Sequence, residues 1–288
     1  MGKIAKGIIF DGKARVAVID IKDIVSKEIA LHNMSPLAAA ALGRAMTAGA
    51  YISNNLKSAG AAFSITINGK GPLGGIVVAG NGENVIRGYV GNPTLELPLN
   101  SVGHLDVGSA VGIDGNITVI KDLGLKDPYV GRCELISGEI AEDFTKYLYS
   151  SEGIRSAVAL GVRVDKEGCV SAGGVIVEAL PDIEEPMLFM LEDIMTNFTN
   201  VSEVLAEKSA EEIFDFYFGH LNSEKFPVEE VTLKCTCSLD RTKKTLLALG
   251  KEECMEILNV VGKVEMVCPF CDTKYNFNRE EIEKLWDK

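Results

Sequence analysis

Leu233–Asp240 reads LKCTCSLD and Val267–Phe277 reads VCPFCDTKYNF, so four of the seven cysteines fall into two tight pairs, Cys235/Cys237 and Cys268/Cys271. Cys133, Cys169 and Cys254 are scattered singly and read as background, Cys254 as a core thiol. CPFC is a common zinc knuckle: two thiolates across a tight turn reach one tetrahedral ion, and the strand-like KYNFN after it completes a hairpin. In an extended strand, residues one apart point to opposite faces, so Cys235 and Cys237 reach the same ion only where the chain bends. The pattern predicts a site of four metal-ligating cysteines, Cys235, Cys237, Cys268 and Cys271, holding one zinc per chain in the reduced state. Between the pairs, helices are expected over 241–250 and 252–259, and Asn278 with Glu281 caps a last helix over 279–286.

Residues 231–288 are too few for a core alone to give comfortable stability, so a metal or crosslink is expected there. The same sulfurs are redox-active: a peroxide that captures a thiolate starts the route from sulfenic acid to disulfide. A bridge between residues one apart is strained and readily reduced. Structural zinc contributes about 10–16 kcal/mol of apparent binding free energy in small domains, more than such a unit holds in reserve. Oxidation is therefore expected to release the zinc and unfold this section.

Working outward, 288 residues allow a core of about 150 residues or more together with a smaller unit. Charge divides the chain. Residues 1–181 hold 17 Lys/Arg and 18 Asp/Glu, residues 182–230 hold 2 and 13, and residues 231–288 hold 10 and 10. Three domains follow: a core over 1–181, an acidic helical linker over 182–230 and a zinc-binding switch over 231–288. With no basic face, nucleic acid is not an expected partner. Residues 1–16 carry charge throughout and no apolar core, so no secretory signal is expected and the chain is expected to be cytoplasmic. The longest apolar run, 35–52, is interrupted by Arg44 and rich in Ala and Gly, which reads as a buried helix and not a membrane span. In a reducing compartment, closely paired cysteines are metal ligands or redox switches more often than permanent disulfides.

The fold class expected for residues 1–181 is α+β, with antiparallel β-sheets flanked by helices. Ser35 as N-cap with Pro36 at the first helical position starts a helix running toward Lys57. Short β-branched runs cut by glycines follow as strands of a meander: 63–67, 75–79, 84–90, 109–113 and 116–120. Ile140, Phe144, Tyr147 and Leu148 share one helical face, and 155–165 and 169–180 flank the turn at 166–168 as a hairpin.

Enzymatic motifs fail in context. Gly69, Gly71 and Gly74 fit G-x-G-x-x-G, but Pro72 and a following strand stand where a helix N-terminus is required, so a glycine-rich turn is the better reading. There is no G-x-x-x-x-G-K-[ST] sequence, and His32, His104 and His220 are isolated. Neither ATP use nor hydrolytic catalysis is expected, and the chain is not read as an enzyme.

In the acidic segment, Leu188, Leu191, Ile194, Met195 and Phe198 form an apolar helical stripe, and Ser209 with Glu212 makes a capping box for a second helix. The stripe can cover the core at rest. Repulsion among so many carboxylates opposes compaction, so release of the segment would expose the stripe as a surface for other proteins.

C-x-C followed about thirty residues later by C-x-x-C near the C-terminus resembles the heat-shock protein 33 family of redox-regulated bacterial chaperones. The stretches at 67–93 and 171–181 are similar to that family as well, so the resemblance spans the chain. It implies an ATP-independent holdase, inactive when reduced and zinc-bound. On oxidation, disulfides Cys235–Cys237 and Cys268–Cys271 would form, the C-terminal region and linker would unfold, and a homodimer would bind unfolding proteins. A zinc-ribbon adaptor or a thiol oxidoreductase using CPFC are the alternatives. The first would show the same cysteines, though the balanced charge of residues 231–288 argues against nucleic acid; the second would turn over small disulfides and lose activity when zinc is bound.

Overall fold

Ser35 adopts extended backbone angles and its hydroxyl accepts from the Ala38 amide, while Pro36 supplies a preset φ, so the chain turns into a long helix at that point. The computed structural model describes residues 1–286. It begins with β1 (Gly2–Ile9), β2 (Ala14–Asp20), α1 (Lys22–His32) and the helix just introduced, α2 (Pro36–Asn55). Next come β3 (Ala62–Asn68), β4 (Ile76–Asn81), β5 (Val85–Val90), α3 (Val107–Val111), β6 (Asn116–Asp122), β7 (Tyr129–Glu134) and α4 (Ala141–Glu152). β8 (Arg155–Asp165) and β9 (Gly168–Ala179) form the hairpin expected around residues 166–168. The acidic stretch supplies α5 (Glu185–Thr196), α6 (Val201–Glu207) and α7 (Ala210–Phe218), then β10 (Glu224–Lys225) and β11 (Glu229–Leu233). The chain closes with α8 (Leu239–Leu249), α9 (Lys251–Val261), β12 (Val264–Val267), β13 (Lys274–Phe277) and α10 (Arg279–Glu283).

The chain divides into two compact units, residues 1–234 and residues from Cys235 onward. In the first, one sheet runs β7-β6-β3-β4-β5-β11-β1-β2-β9-β8, with β10 also beside β1. Its neighbours are antiparallel except β5 and β11, which run parallel, so the α+β class with antiparallel sheet holds. Helix α2 carries small residues because it lies close on this sheet: a Cβ on Gly49 would fall 2.6 Å from Val78 Cγ1, and one on Gly43 2.6 Å from Val162 Cγ2.

Strands β1, β2 and β9 are buried on both faces. Ile4, Ile19 and Ile176 join the core under α1, α2 and α4, whereas Ala5, Val16, Val18 and Val175 join a second core closed by α5–α7. Strands covered on both sides lose the apolar–polar alternation that marks a strand in sequence. The hairpin of β1 and β2 accordingly carries no strand signal in the sequence, and α1 lacks a start signal because its Ile21 N-cap makes no side-chain capping bond.

Residues 109–113 are not a strand. They fall in and just after α3, because Asp106 Oδ1 accepts from the Ser109 amide at 3.0 Å and starts a helical turn. That turn packs on the glycine motif: Gly71 N donates to Val111 O (2.9 Å) and Leu73 N to Ala110 O (3.0 Å). A Cβ on Gly69 would lie 1.9 Å from Gly112 O, so these glycines permit two backbones to touch. Gly69→Ala is expected to cost at least about 1–3 kcal/mol by forcing them apart. Calorimetry should then show the first unit's transition lowered by about 2–10 °C; an unchanged midpoint would mean the apposition is dispensable.

Candidate metal centre

The second unit is small. Leu246, Cys254, Leu258, Val264, Phe277 and Ile282 make up its buried apolar cluster. β12 and β13 pair antiparallel from Val264↔Phe277 to Val267↔Lys274, which leaves residues 268–273 as the hairpin tip. There Cys268 N donates to Thr273 O (3.0 Å) and Asp272 N to Cys268 O (2.9 Å), with Asp272 in the left-handed region at φ 52°. The turn folds Cys268 and Cys271 toward the same point.

Cys235 and Cys237 occupy a non-repetitive loop that ends at Ser238, the N-cap of α8. Arg241 serves the loop twice: its amide donates to Ser238 Oγ (3.3 Å) and its guanidinium to Thr236 Oγ1 (2.7 Å). The chain bends so that Cys237 N donates to Cys235 Sγ at 3.4 Å, which is the departure from extended geometry that C-x-C requires.

The four sulfurs converge. All lie within 4.8 Å of one another, with Cys235–Cys268 at 3.7 Å and Cys237–Cys271 at 3.4 Å. A tetrahedral four-thiolate site with metal–sulfur bonds of about 2.3 Å places its sulfurs about 3.8 Å apart, so the residues fit such an ion. Their protonation points the same way. Burial, reinforced by the neighbouring sulfurs, pushes Cys235 up to about 12, and burial raises Cys268 as well. At Cys271, burial is outweighed by hydrogen bonds from Thr273 and from the other thiols, which bring it to about 7. The Cys271 thiolate is readily held while ionisation of Cys235 and Cys268 is resisted, the behaviour of a cluster that needs a cation to ionise fully.

Two hydroxyls beside the sulfurs escaped the sequence reading. Tyr275 Oη donates to Cys237 Sγ at 3.1 Å, and Thr273 Oγ1 lies 3.1 Å from Cys271 Sγ. Their signal is positional: both follow CPFC on the return limb of its hairpin. Removing a partner that orients a ligand typically weakens a metal site by about 10–100-fold. Tyr275→Phe is therefore expected to lower metal affinity by about tenfold or more, read by competition with a chromogenic chelator. Unchanged affinity would show the hydroxyl to be idle.

The five stripe residues lie together in the first unit on α5 and just beyond it. Leu191 and Phe198 are buried in the second core, and Leu188, Ile194 and Met195 pack half-buried against it. Phe189 and Met190 of the same helix, and Phe216 of α7, are exposed and had not been singled out. The contiguous apolar residues 187–191 signal them, being too many for one face of a helix. Cys254 is fully buried in the terminal core, Cys169 is buried in the first unit, and Cys133 is half-buried on β7. Among the described residues, no helix is long and apolar enough to cross a membrane.

Fold and site together define a two-unit α+β protein with a C-terminal four-cysteine centre. The chain belongs to the Hsp33 family: the family model described as Hsp33 protein matches residues 2–278. It is 44% identical over 268 residues to the 33 kDa chaperonin of Caldanaerobacter subterraneus subsp. tengcongensis, covering 92% of this chain and 90% of that one. It is 40% identical to the 33 kDa chaperonin of Clostridium beijerinckii, covering 98% and 97%. The crystal structure of the 33 kDa chaperonin (heat shock protein 33 homolog) from Thermotoga maritima superposes with a TM-score of 0.90 at 36% identity, over 98% of this chain and 97% of that chain.

Proposed function

We propose that this protein is a redox-regulated, ATP-independent holdase of the cytoplasm, silent when reduced and active toward unfolding proteins when oxidised. The observation that carries the reading is the convergence of four sulfurs within 4.8 Å in a unit whose own buried cluster is six residues among those described. Cys235, Cys237, Cys268 and Cys271 would hold one zinc, which supplies a positive charge that keeps all four ionised and ties the hairpin tip to the loop before α8.

Each pair of thiolates gives up two electrons as one S–S bond forms, and hydrogen peroxide is reduced to two hydroxides by cleavage of its O–O bond. Cys235–Cys237 and Cys268–Cys271 are the proposed pairs. The sulfur contacts at 3.7 and 3.4 Å run between the pairs, Cys235–Cys268 and Cys237–Cys271, with all four sulfurs within 4.8 Å of one another. Once they are disulfides, no thiolate set remains, and residues 231–288 keep too small a core to stay folded. Residues 182–230, with 13 acids against 2 bases, then follow as a linker. Their release uncovers Leu188, Leu191, Ile194, Met195 and Phe198 for client binding, in a homodimer. The protein acts by stoichiometric capture and not as an enzyme, and neither nucleic acid nor membrane is a partner.

Light scattering of a heat-unfolding client tests this. Peroxide-treated protein is expected to suppress aggregation near stoichiometric ratios with or without ATP, and the thiol-reduced protein not to. Equal behaviour of the two forms would sink the redox reading, and a requirement for ATP would sink the holdase.

A further inference from the structure

Strand β11 is the one strand that joins the two halves of the large sheet among the described residues. It pairs antiparallel with β1 (Gly2↔Val231, Ile4↔Glu229) and parallel with β5 (Thr232↔Val85, Leu233↔Ile86). Thr232 N donates to Asn84 O (2.8 Å) and Lys234 N to Ile86 O (3.2 Å), and the next residue in the chain is Cys235.

β11 is held lightly for a central strand. Only Val231 of its five residues is fully buried, and Pro227 separates it from β10. One side chain is gripped: Glu229 accepts from Asn54 Nδ2 (2.8 Å) and Asn84 Nδ2 (3.0 Å) and pairs with Lys6 Nζ at 2.6 Å. Without β11 the flanking strands keep their other partners, β1 its seven-residue register with β2 and β5 its register with β4. Helix α2 continues to pack on β4 and β5 in one half and on β8 and β9 in the other. Withdrawal of β11 would therefore leave a slot one strand wide, with free backbone groups on both walls and a fixed floor.

We propose that this slot is a peptide-binding site, opened when loss of the four-cysteine centre frees β11, and that it captures extended segments of unfolding proteins by adding them to the sheet as a strand. The inference rests on the redox-holdase reading above. β11 itself shows what the slot accepts. Backbone groups pair with β1 and β5 whatever the sequence, while Glu229, Val231 and Leu233 fall on one face at alternate positions. The selected segment has a carboxylate facing Lys6, Asn54 and Asn84, with aliphatic side chains two and four residues later. Burial opposes ionisation of Glu229, yet the Lys6 and asparagine hydrogen bonds outweigh it and hold its carboxyl below the usual range, so the grip selects an anion.

The test uses a fluorescein-labelled peptide with the sequence of residues 228–234, VEEVTLK, and the full chain, read by fluorescence anisotropy. Binding is expected to the peroxide-treated chain and not to the reduced chain, whose slot is filled. A peptide with glutamine for the first glutamate should bind roughly tenfold more weakly, having lost a charged partner. A peptide methylated at the two amide nitrogens corresponding to Thr232 and Lys234 should not bind, since those donors reach β5. Excess unmodified peptide should reduce client protection.

Client protection on oxidation without peptide binding, or equal binding of the methylated peptide, overturns the slot and leaves the redox reading standing. Binding that vanishes as the oxidised chain self-associates shows a second copy filling the slot and overturns it likewise. Absence of any gain in protection overturns the redox reading instead. The slot is then decided by Val231→Asp, which places a charge in the core and expels β11 without oxidant: peptide binding to that reduced variant supports the slot, and no binding overturns it.

Discussion

Replacing Cys268 and Cys271 together by serine is expected to unfold the chain from Cys235 onward while residues 1–181 stay folded. Among the described residues, the terminal unit has six buried residues in its apolar cluster, two short paired strands and three short helices. Bound metal in domains of this kind contributes about 10–16 kcal/mol of apparent free energy, against a total stability of about 5–15 kcal/mol for ordinary domains. Losing half the ligand set removes most of that term, and the remaining core cannot offset the chain entropy. Hydrogen exchange should show amides of β12, β13, α8 and α9 exchanging as in an unfolded chain, with those of β2, β3 and β9 still protected. On the proposed reading the variant protects clients without any oxidant. Retained protection across β12 and β13 would mean the unit stands without a four-cysteine metal site.

The second large effect is expected at Phe198. Its ring is 1% exposed, stacks on Phe218 with centroids 6.0 Å apart and 9° between planes, and meets Tyr217 at 4.8 Å. Truncating a buried phenylalanine costs about 3–5 kcal/mol. That loss falls on α5–α7, the stretch with the least balanced charge, so Phe198→Ala should loosen these helices before the sheet they cover. The reduced variant is expected to expose amides of α5–α7 and to suppress client aggregation at temperatures where the reduced parent does not. Phe189→Ala on α5 is the control, since that ring is 62% exposed and its removal should change stability by no more than about 0.5 kcal/mol. Equal effects of the two substitutions would show that covering of the second core is not what restrains the segment.

How far the sequence reveals this molecule follows from the range of the interactions involved. The four clustered cysteines are legible because their chemistry is local, with two residues and one short turn specifying each pair. Strands β3–β5 are legible because one face meets the core and glycines punctuate them, so alternation survives. β1 and β2 lack that alternation, being buried on both faces. Residues 109–113 look like a strand by composition, and only the Asp106 cap and the apposition with Gly69–Gly71, forty residues distant in sequence, turn them into helix. β11 is the hardest to see. Its five residues include two glutamates, and its place depends on β1 and β5, both more than a hundred residues away in sequence, with Lys6, Asn54 and Asn84 meeting Glu229 only once the sheet exists.

On the proposed reading, the state of the four sulfurs controls protection of unfolding proteins. Peroxide is added at elevated temperature to the reduced, metal-loaded protein with a heat-unfolding client and a chromogenic chelator, and absorbance and light scattering are followed in the same cuvette. Release of about one metal ion per chain, the capacity of a single four-thiolate site, is expected in step with suppressed scattering, with reversal of both by thiol reductant with zinc. Metal that stays bound while protection appears, or leaves with no gain in protection, would contradict it.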